Sequence, residues 1–329
     1  METTLVAKIT GDDSVNDTAR RFGIHATDLG LMWAGDDGRV RVVFGDTYGH
    51  GWGGSGAGPA EGSDWRCNVL AYAGDDFTHG LVLDEVAARD DGMAAELFGR
   101  DRENEATVIP NSGTAVGATH YLHYMSVKSW DGPGRWRTNF AGIAVSHDGG
   151  TTWERPEQAR WHNARWRHLW RHNHPFQVGC FATFDGGRYL FGTPNGRFGD
   201  ARLARVSTED ILVPERYEYW TGADWRRGDE WAAKPVFRGP VGEMSVLYND
   251  TLDQWLAVHL DEHRAAIVLR TAPEPTGPWT GGDVLVSGRD YPGLYGGYLH
   301  PSSAHGTTLH FAMSQWNPYN VFWMRTELG

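Results

Sequence analysis

The sequence has little of what several protein classes depend on. Only two of its 329 residues are cysteine, Cys67 and Cys180, so at most one disulfide can form and no disulfide framework holds the fold. No stretch approaches a membrane span, and the N-terminal segment METTLVAKIT lacks the charged and apolar regions of a signal peptide. Sustained helical periodicity is also missing. These absences argue against a disulfide scaffold, a membrane-spanning helix and a helical bundle.

Positive charge is also scarce. The chain has 30 Lys and Arg against 42 Asp and Glu, which gives a formal net charge of −12. A field of that sign repels polyanions. We therefore expect neither nucleic acid nor an anionic membrane as a partner, and expect a neutral or cationic ligand instead.

Glycine and aromatic residues are abundant. The 43 Gly and 15 Pro are spread along the chain, and short strand candidates such as LGLMWA, RVRVVFGDT, YLHYMSV and WLAVHL recur with tight turns between them. This pattern is typical of a β-sandwich, a barrel or a propeller. The 16 Trp exceed what a core needs, and flat rings on an open surface suit the apolar faces of sugars.

Two features favour the propeller. The segment from Ser146 to Trp153, SHDGGTTW, fits the Asp-box pattern S-x-D-x-G-x-T-W, in which Asp148 binds the amides of a tight turn between outer strands. The terminal segments TLVAKIT and VFWMRTEL are candidate partners that close a ring. No linker interrupts the chain, so we expect a single domain over residues 1–329.

The candidate chemistry lies on the hairpin around Asp37. If the Asp-Gly turn is centred there, paired positions sum to 74, and Asp28 lies opposite Asp46. Opposed carboxylates repel unless one keeps its proton, which makes an acid and a base from one residue type. Two alternatives stay open: both Asp side chains cap local turns, or a β-bulge breaks the pairing.

Further candidates come from other blades. Glu243 precedes an apolar strand, and inner strands of a propeller converge on the central channel, so it can approach Asp46 there. Arg66, Asn68 and Arg197 offer donors to sugar hydroxyls or to a carboxylate, and Trp65 offers a stacking surface. The alternative for each is an ordinary salt bridge or turn.

One segment breaks the β pattern, EQARWHNARWRHLWRHNHPF at 157–176. His168, His172 and His174 have spacings that could serve a metal. No acidic or Cys partner lies nearby in sequence, so a basic aromatic rim or packing between blades is the preferred interpretation, and we expect neither metal nor cofactor. A structural calcium is left open.

In combination, several short motifs resemble a known family. RFGIHATDLG, VVFGDTYG, WRCNVLA, YLFGTPNGRFG, GEMSVLYN and SQWNPYNVFWM are similar to segments of the domain of unknown function 4185, the endo-D-arabinofuranase (endo-D-arabinanase) family, glycoside hydrolase family 183. The resemblance covers about residues 10–328. It implies a five-bladed β-propeller, with the acidic pair of the family at Asp28 and Asp46. Asn68, Arg197 and Glu243 match further family motifs, and Cys67 stands where the family often has Ser.

The resemblance also implies a function. We expect an endo-acting glycosidase that cleaves internal α-D-arabinofuranosyl linkages in the D-arabinan of mycobacterial arabinogalactan and lipoarabinomannan, working as a monomer outside the cell or at the cell wall. Retention and inversion of the anomeric centre stay open, because they depend on the carboxyl separation. The competing hypotheses are a sialidase-like exo-glycosidase, for which no Arg cluster with a Tyr nucleophile can be assembled, and a carbohydrate-binding propeller without catalysis.

Overall fold

The computed structural model describes residues 1–101, 103–163 and 173–329, and the regular secondary structure in this part of the chain is almost entirely β-strand. Strand β1 comes first, then a short helix α1, and then a sheet of four strands with a two-stranded extension. Their bounds are β1 (Glu2–Lys8), α1 (Thr18–Phe22), β2 (Leu29–Ala34), β3 (Val40–Phe44), β4 (Thr47–Tyr48), β5 (Trp65–Arg66), β6 (Val69–Ala73) and β7 (Leu83–Val86).

Three more sheets follow in chain order. The second blade contains β8 (Thr107–Val116), β9 (Thr119–Gly132), β10 (Arg135–Ser146) and β11 (Arg160–His162). The third contains β12 (Val178–Phe184), β13 (Gly187–Thr193), β14 (Gly199–Val206), β15 (Glu218–Trp220), β16 (Trp225–Arg227) and β17 (Pro235–Val241). The fourth contains β18 (Met244–Asn249), β19 (Gln254–Asp261), β20 (Ala266–Ala272) and β21 (Asp283–Ser287).

The last blade contains β22 (Leu294–Leu299), β23 (Thr308–Gln315) and β24 (Asn320–Glu327), and β1 completes it as the outermost strand. Short 3-10 turns occur at Pro214–Arg216, Glu230–Ala232 and Pro301–Ala304. The predicted pairing of the terminal strands is confirmed, because β1 runs antiparallel to β24 with Leu5 opposite Met324. The chain therefore forms a five-bladed β-propeller whose ring is closed by its two ends.

The innermost strands surround the axis. The innermost strands are β2, β8, β12, β18 and β22. Each is the first strand of its blade in chain order, apart from β1, which joins the last blade from the N-terminus. Each of these strands packs against the next around the ring, and β22 packs back on β2. They consequently all begin at one face of the ring, here called the upper face. Residues at the starts of these strands converge there.

The Asp-box lies where the sequence predicts it, after β10 and before β11. The Asp148 carboxylate accepts hydrogen bonds from the Thr151 and Thr152 amides at 3.0 and 2.9 Å. The Trp153 indole packs edge-on against Trp33 of the neighbouring blade, with ring centroids 6.5 Å apart. The box therefore stabilises the contact between the first two blades.

Tryptophan serves both core and surface. Trp161, Trp255 and Trp323 are among the largest fully buried side chains, whereas Trp130, Trp231 and Trp316 are exposed. Both cysteine thiols are free and buried, so no disulfide joins them. Within the described ranges, no helix is long and apolar enough to cross a membrane.

A glycine on β8 makes close packing of the first two blades possible. A Cβ on Gly113 would overlap Cε3 of Trp33. We expect Gly113→Ala to lower the free energy of unfolding by about 1–3 kcal/mol through overpacking, measured by urea denaturation. Gly281→Ala is the matched control, because nothing lies within 4 Å of a Cβ at that position. Equal stability of the two variants would contradict this account of the blade contact.

Candidate active site

The predicted register of the first hairpin holds over most of its length and fails at one end. Met32 pairs with Val42 and Trp33 with Arg41, so these positions sum to 74 as predicted. A bulge then interrupts the ladder between Leu29 and Leu31, and Leu29 pairs with Phe44. The prediction that Asp28 lies directly opposite Asp46 is therefore wrong, because the bulge shifts the register by one residue.

The bulge places a strained backbone conformation beside the acidic pair. Leu29 has a φ of 69°, in the left-handed region that a branched side chain rarely adopts, and Gly30 follows at 78°. The Leu29 amide donates to Oγ of Ser314 at 2.8 Å. A conformation of this kind costs on the order of 1–3 kcal/mol and persists only where surrounding structure holds it. Here Ser314 on β23 of the last blade stabilises the Leu29 conformation.

The residue opposite Asp28 is Gly45. The Gly45 amide donates to the Asp28 carbonyl at 3.2 Å, and a Cβ on Gly45 would collide with Oδ1 of Asp28. The absence of a side chain at position 45 leaves room for the Asp28 carboxyl. That carboxyl does not cap its own turn, because its partners are tyrosines of the last blade.

Asp28 sits among aromatic hydroxyls. Tyr295 donates to Oδ2 at 2.9 Å. Oδ1 is buried and has no hydrogen-bond partner among the described residues. Burial, followed by the charge of Asp46, raises the pKa of Asp28 to about 7, although the hydroxyl groups of Tyr295 and Tyr319 act to lower it. Asp28 therefore holds a proton far more readily than an ordinary Asp.

Asp46 lies nearby in a different environment. Its Oδ1 accepts from Thr107 at 2.6 Å and from the Trp65 indole at 3.0 Å, and the residue is 7% exposed. Burial raises the pKa of Asp46 to about 6, and hydrogen bonds from Thr107 and Trp65 act to lower it. Trp65 therefore contacts the carboxylate through its N–H, and the Arg100 guanidinium lies 4.9 Å from its ring centroid.

Glu243 and Arg197 form an ion pair at the same face. The Arg197 Nε and Nη2 both donate to Oε1 of Glu243, at 3.0 and 2.8 Å, and Oε2 is buried without a hydrogen-bond partner in the described part of the chain. The Arg197 guanidinium also lies 4.9 Å from the ring centroid of Tyr295. Tyr295 thus touches both Asp28 and the cation that holds Glu243. The structure brings these predicted residues together around the axis.

Arg66 and Asn68 take a different place. Arg66 donates to the carbonyls of Ala94 and Gly23 at 2.9 and 2.7 Å. Asn68 is fully buried, donates to the carbonyls of Phe98 and Val108, and accepts from the Phe98 amide. The polar side-chain atoms of both residues hydrogen-bond main-chain groups. That Arg66 or Asn68 contacts substrate stays a prediction, which these hydrogen bonds do not favour.

Sequence reasoning missed three partners of the acidic pair, Thr107, Tyr295 and Tyr319. Thr107 and Tyr295 lie at the start of inner strands, where a propeller directs side chains to the upper face. The segment LYGGYL carries Tyr295, and its position on an inner strand was the signal available. Tyr319 had no such signal, since it lies in the turn between β23 and β24.

The candidate histidines give no metal centre in the described ranges, where no group of three or more His, Cys, Asp or Glu could hold an ion. His168 and His172 lie outside the described residues. His174 is buried, with its Nε2 3.5 Å from Oε1 of Glu230 and its ring 5.1 Å from that of Trp231. What the upper face offers is a pair of carboxyl groups with raised pKa values and a third carboxylate held by arginine.

Comparison with known proteins places the chain in a family of sequences. The family described as a domain of unknown function, DUF4185, matches residues 13–325. The notoamide biosynthesis cluster protein J of Aspergillus sp. (strain MF297-2) is 30% identical over 345 residues, which span 97% of this chain and 87% of the relative.

Solved structures share the fold at low sequence identity. A family 117 glycoside hydrolase from Zobellia galactanivorans aligns with a TM-score of 0.56 and 12% identity, covering 98% of this chain and 90% of that one. The arabinanase Arb43A of Bacillus subtilis aligns with a TM-score of 0.50 and 12% identity, covering 92% and 95%. These similarities support the propeller architecture.

The raised pKa of Asp28 predicts a pH-dependent cost to folding. Because the folded carboxyl binds its proton more tightly than the unfolded one, stability falls as pH rises from about 4 to 7. We expect Asp28→Asn to be more stable than the wild type at pH 8 by about 4 kcal/mol, because the pKa of the Asp28 carboxyl lies roughly three units above its ordinary value, with the difference vanishing near pH 4. Urea denaturation at both pH values measures this.

Asp148→Asn is the matched control with the opposite sign. Although burial acts to raise it, the pKa of Asp148 is lowered to about 2 by hydrogen bonds from Thr152, Ser146 and Thr151. Its stabilising contribution is present above the unfolded value and is lost as pH falls through the folded one, so this variant should be less stable than the wild type at pH 8. An Asp28→Asn variant that is destabilised at pH 8 would contradict the account.

Proposed function

The chain belongs to the DUF4185 family, and we propose that it is a glycoside hydrolase that cleaves internal α-D-arabinofuranosyl linkages in D-arabinan. The observation that carries the proposal is the buried pair Asp28 and Asp46 at the upper face. Two carboxyl groups with different protonation states are what glycoside hydrolysis requires. The raised pKa values of both groups supply that difference near neutral pH.

The environments of the two groups suggest their roles. Asp28 has the higher pKa and an unpartnered oxygen, so we assign it as the acid that protonates the departing glycosidic oxygen. Asp46 accepts two hydrogen bonds that favour its charged form, so we assign it as the carboxylate that attacks the anomeric carbon or activates water. The glycosidic C–O bond breaks and the departing oxygen takes the Asp28 proton. The anomeric carbon takes a hydroxyl group from water, and the remaining proton of that water restores the protonated carboxyl of the pair.

Glu243 has a supporting part in this proposal. Arg197 holds one carboxylate oxygen with two hydrogen bonds, which leaves Oε2 as a buried acceptor. A buried acceptor without a partner is costly unless a ligand supplies the donor. We assign this oxygen to a sugar hydroxyl, with Arg197 as the residue that positions it.

The substrate class rests on the resemblance of the motifs that carry the pair, ATDLG and FGDTYG, to those of endo-D-arabinanases. The proposed substrates are the D-arabinan chains of mycobacterial arabinogalactan and lipoarabinomannan. A monomer acting outside the cell or at a cell wall, without a cofactor, is part of the same proposal. That a solved arabinanase shares the propeller fold is compatible with it.

A second candidate comes from the relatives. Two Aspergillus proteins that are 30% and 31% identical to this chain are named for notoamide biosynthesis clusters. Such names associate the family with the assembly of small molecules. The second candidate is therefore acid–base catalysis by the same carboxyl pair on a small molecule, without activity on a polysaccharide.

Digestion of purified mycobacterial arabinogalactan distinguishes the two candidates. We expect the wild-type protein to release D-arabino-oligosaccharides, detected as new reducing ends and by mass spectrometry. Asp46→Asn should lower the rate at least about 10³-fold while the folded state persists in circular dichroism, because it removes the ionised carboxylate. Asp148→Asn, on the remote Asp-box, serves as the control. Wild-type protein that releases no new ends would refute the arabinanase and favour the small-molecule candidate.

The pH dependence of cleavage follows from the pair. Activity should rise as Asp46 ionises near pH 6 and fall as Asp28 loses its proton near pH 7, which gives a narrow bell-shaped profile. Tyr295→Phe removes a hydrogen bond that lowers the pKa of Asp28, so its alkaline limb should move to higher pH. The initial rate on arabinogalactan between pH 4 and 9 measures both. An alkaline limb that moves to lower pH in the Tyr295→Phe variant would be inconsistent with Asp28 as the acid.

A further inference from the structure

Two exposed tryptophans lie on the two blades that neighbour the blade carrying the acidic pair, and no hydrogen-bonding or catalytic role described above uses them. Trp316 is 54% exposed and Trp130 is 53% exposed. Trp316 lies in the turn between β23 and β24, and Trp130 lies near the tip of the β9–β10 hairpin. Both turns are at the upper face, because β9 and β23 run toward it and β10 and β24 run away from it.

Trp316 is held rigidly next to Asp28. Its ring packs edge-on against Tyr319, with centroids 5.6 Å apart, and the Tyr319 hydroxyl lies close enough to the Asp28 carboxyl to act on its pKa. Gly56 lies under the indole, since a Cβ there would come within 2.9 Å of the ring atom Cε2. Ser55 donates to Oδ1 of Asn317 at 3.5 Å, which joins the two loops. One side of the ring is thus fixed on backbone while a large area remains open.

Trp130 lies on a hairpin of the second blade that extends to the neighbouring third blade. Its ring packs edge-on against the buried Trp136, with centroids 5.8 Å apart. At the tip, the carbonyl of Gly134 accepts a hydrogen bond from the Arg197 amide at 3.0 Å. The hairpin of the second blade therefore rests on the third blade, beside the arginine that holds Glu243.

The two rings therefore flank the carboxyls from different directions. Trp316 belongs to the last blade, whose inner strand packs against the first blade. Trp130 belongs to the second blade, whose inner strand packs against the other side of the first blade. A ligand that touches both rings therefore extends from the last blade to the second, past the first blade, which carries Asp28 and Asp46.

The surroundings of the rings fit sugar better than protein. Each ring packs on one aromatic side chain, Tyr319 or Trp136. Polar residues lie beside it in the chain or across the neighbouring loop, Asn317 and Ser55 at one ring and Asp131 and Arg137 at the other. A protein-docking patch needs contiguous apolar area. A furanose ring instead presents a small apolar face surrounded by hydroxyl groups, which matches one flat ring with polar groups beside it.

We propose that Trp316 and Trp130 are stacking platforms for sugar residues on opposite sides of the scissile bond. The inference rests on the proposed function and deepens it. With a platform on each side, the bound chain continues in both directions, and cleavage falls inside it. The preferred ligand is therefore an oligosaccharide or polysaccharide that spans the upper face, and not a single terminal sugar.

Binding measured without cleavage tests the platforms. In an Asp46→Asn background, affinity electrophoresis in gels containing mycobacterial arabinogalactan reports retardation of the protein. We expect Trp316→Ala and Trp130→Ala each to weaken retardation about tenfold, and Trp316→Phe to restore most of it. Trp231→Ala is the matched control, because Trp231 is also exposed but follows the outermost strand of the third blade. Retention of full affinity by both alanine variants would refute the stacking role of the two tryptophans.

The same variants with Asp46 intact separate this inference from the proposed function. Here we expect KM for arabinogalactan to rise about tenfold while kcat changes less than threefold. If the wild type cleaves and the alanine variants keep its KM, the stacking role of the two tryptophans is refuted and the glycosidase proposal is retained. If the wild type binds through these rings but does not cleave, the stacking role is retained and the glycosidase proposal is refuted. A protein that neither binds nor cleaves arabinogalactan overturns both.

Discussion

Burial of two carboxyl groups beside each other at the axis of the propeller is the constraint on which the rest of the upper face depends. Neither group can be ionised at ordinary cost, because each is removed from water and Asp28 also feels the charge of Asp46. The fold reduces this cost with hydrogen-bond donors, Tyr295 on the Asp28 carboxyl and Thr107 and Trp65 on the Asp46 carboxyl. The two sets differ, so the two groups hold protons differently.

Closure of the ring is what makes this site possible. The Asp pair and Trp65 belong to the first blade with its extension, Thr107 comes from the second blade and Tyr295 from the last, and Arg197 and Glu243 come from the third and fourth. The strained turn at Leu29 is likewise held by Ser314, 285 residues away. Pairing of β1 with β24 brings these blades around one axis. Stability and the proposed catalysis are thus coupled, since strain and unpaired acceptors at the site are compensated by packing between blades.

The sequence is most informative where interactions are local. The Asp-box and the register of Trp33 with Arg41 follow from turn chemistry and alternation, and the structure confirms them. The pairing of the terminal strands is also confirmed, although it follows from closure of the ring and not from local sequence. The bulge at Leu29 could not be predicted in the same way, because it depends on a distant hydroxyl. Arg66 and Asn68 look like ligand donors in the sequence, yet they bind carbonyls whose positions only the folded chain defines. Tyr319 was missed for the same reason.

The most direct measurement of the central claim is a carbon-13 NMR titration of the aspartate carboxyls in the folded protein, assigned with the Asp28→Asn and Asp46→Asn variants. The account predicts two carboxyl resonances that titrate near pH 6 and 7, each lost in one of the variants, so that near pH 6.5 one group is mainly protonated and the other mainly ionised. Two resonances that both titrate near pH 4 would contradict it.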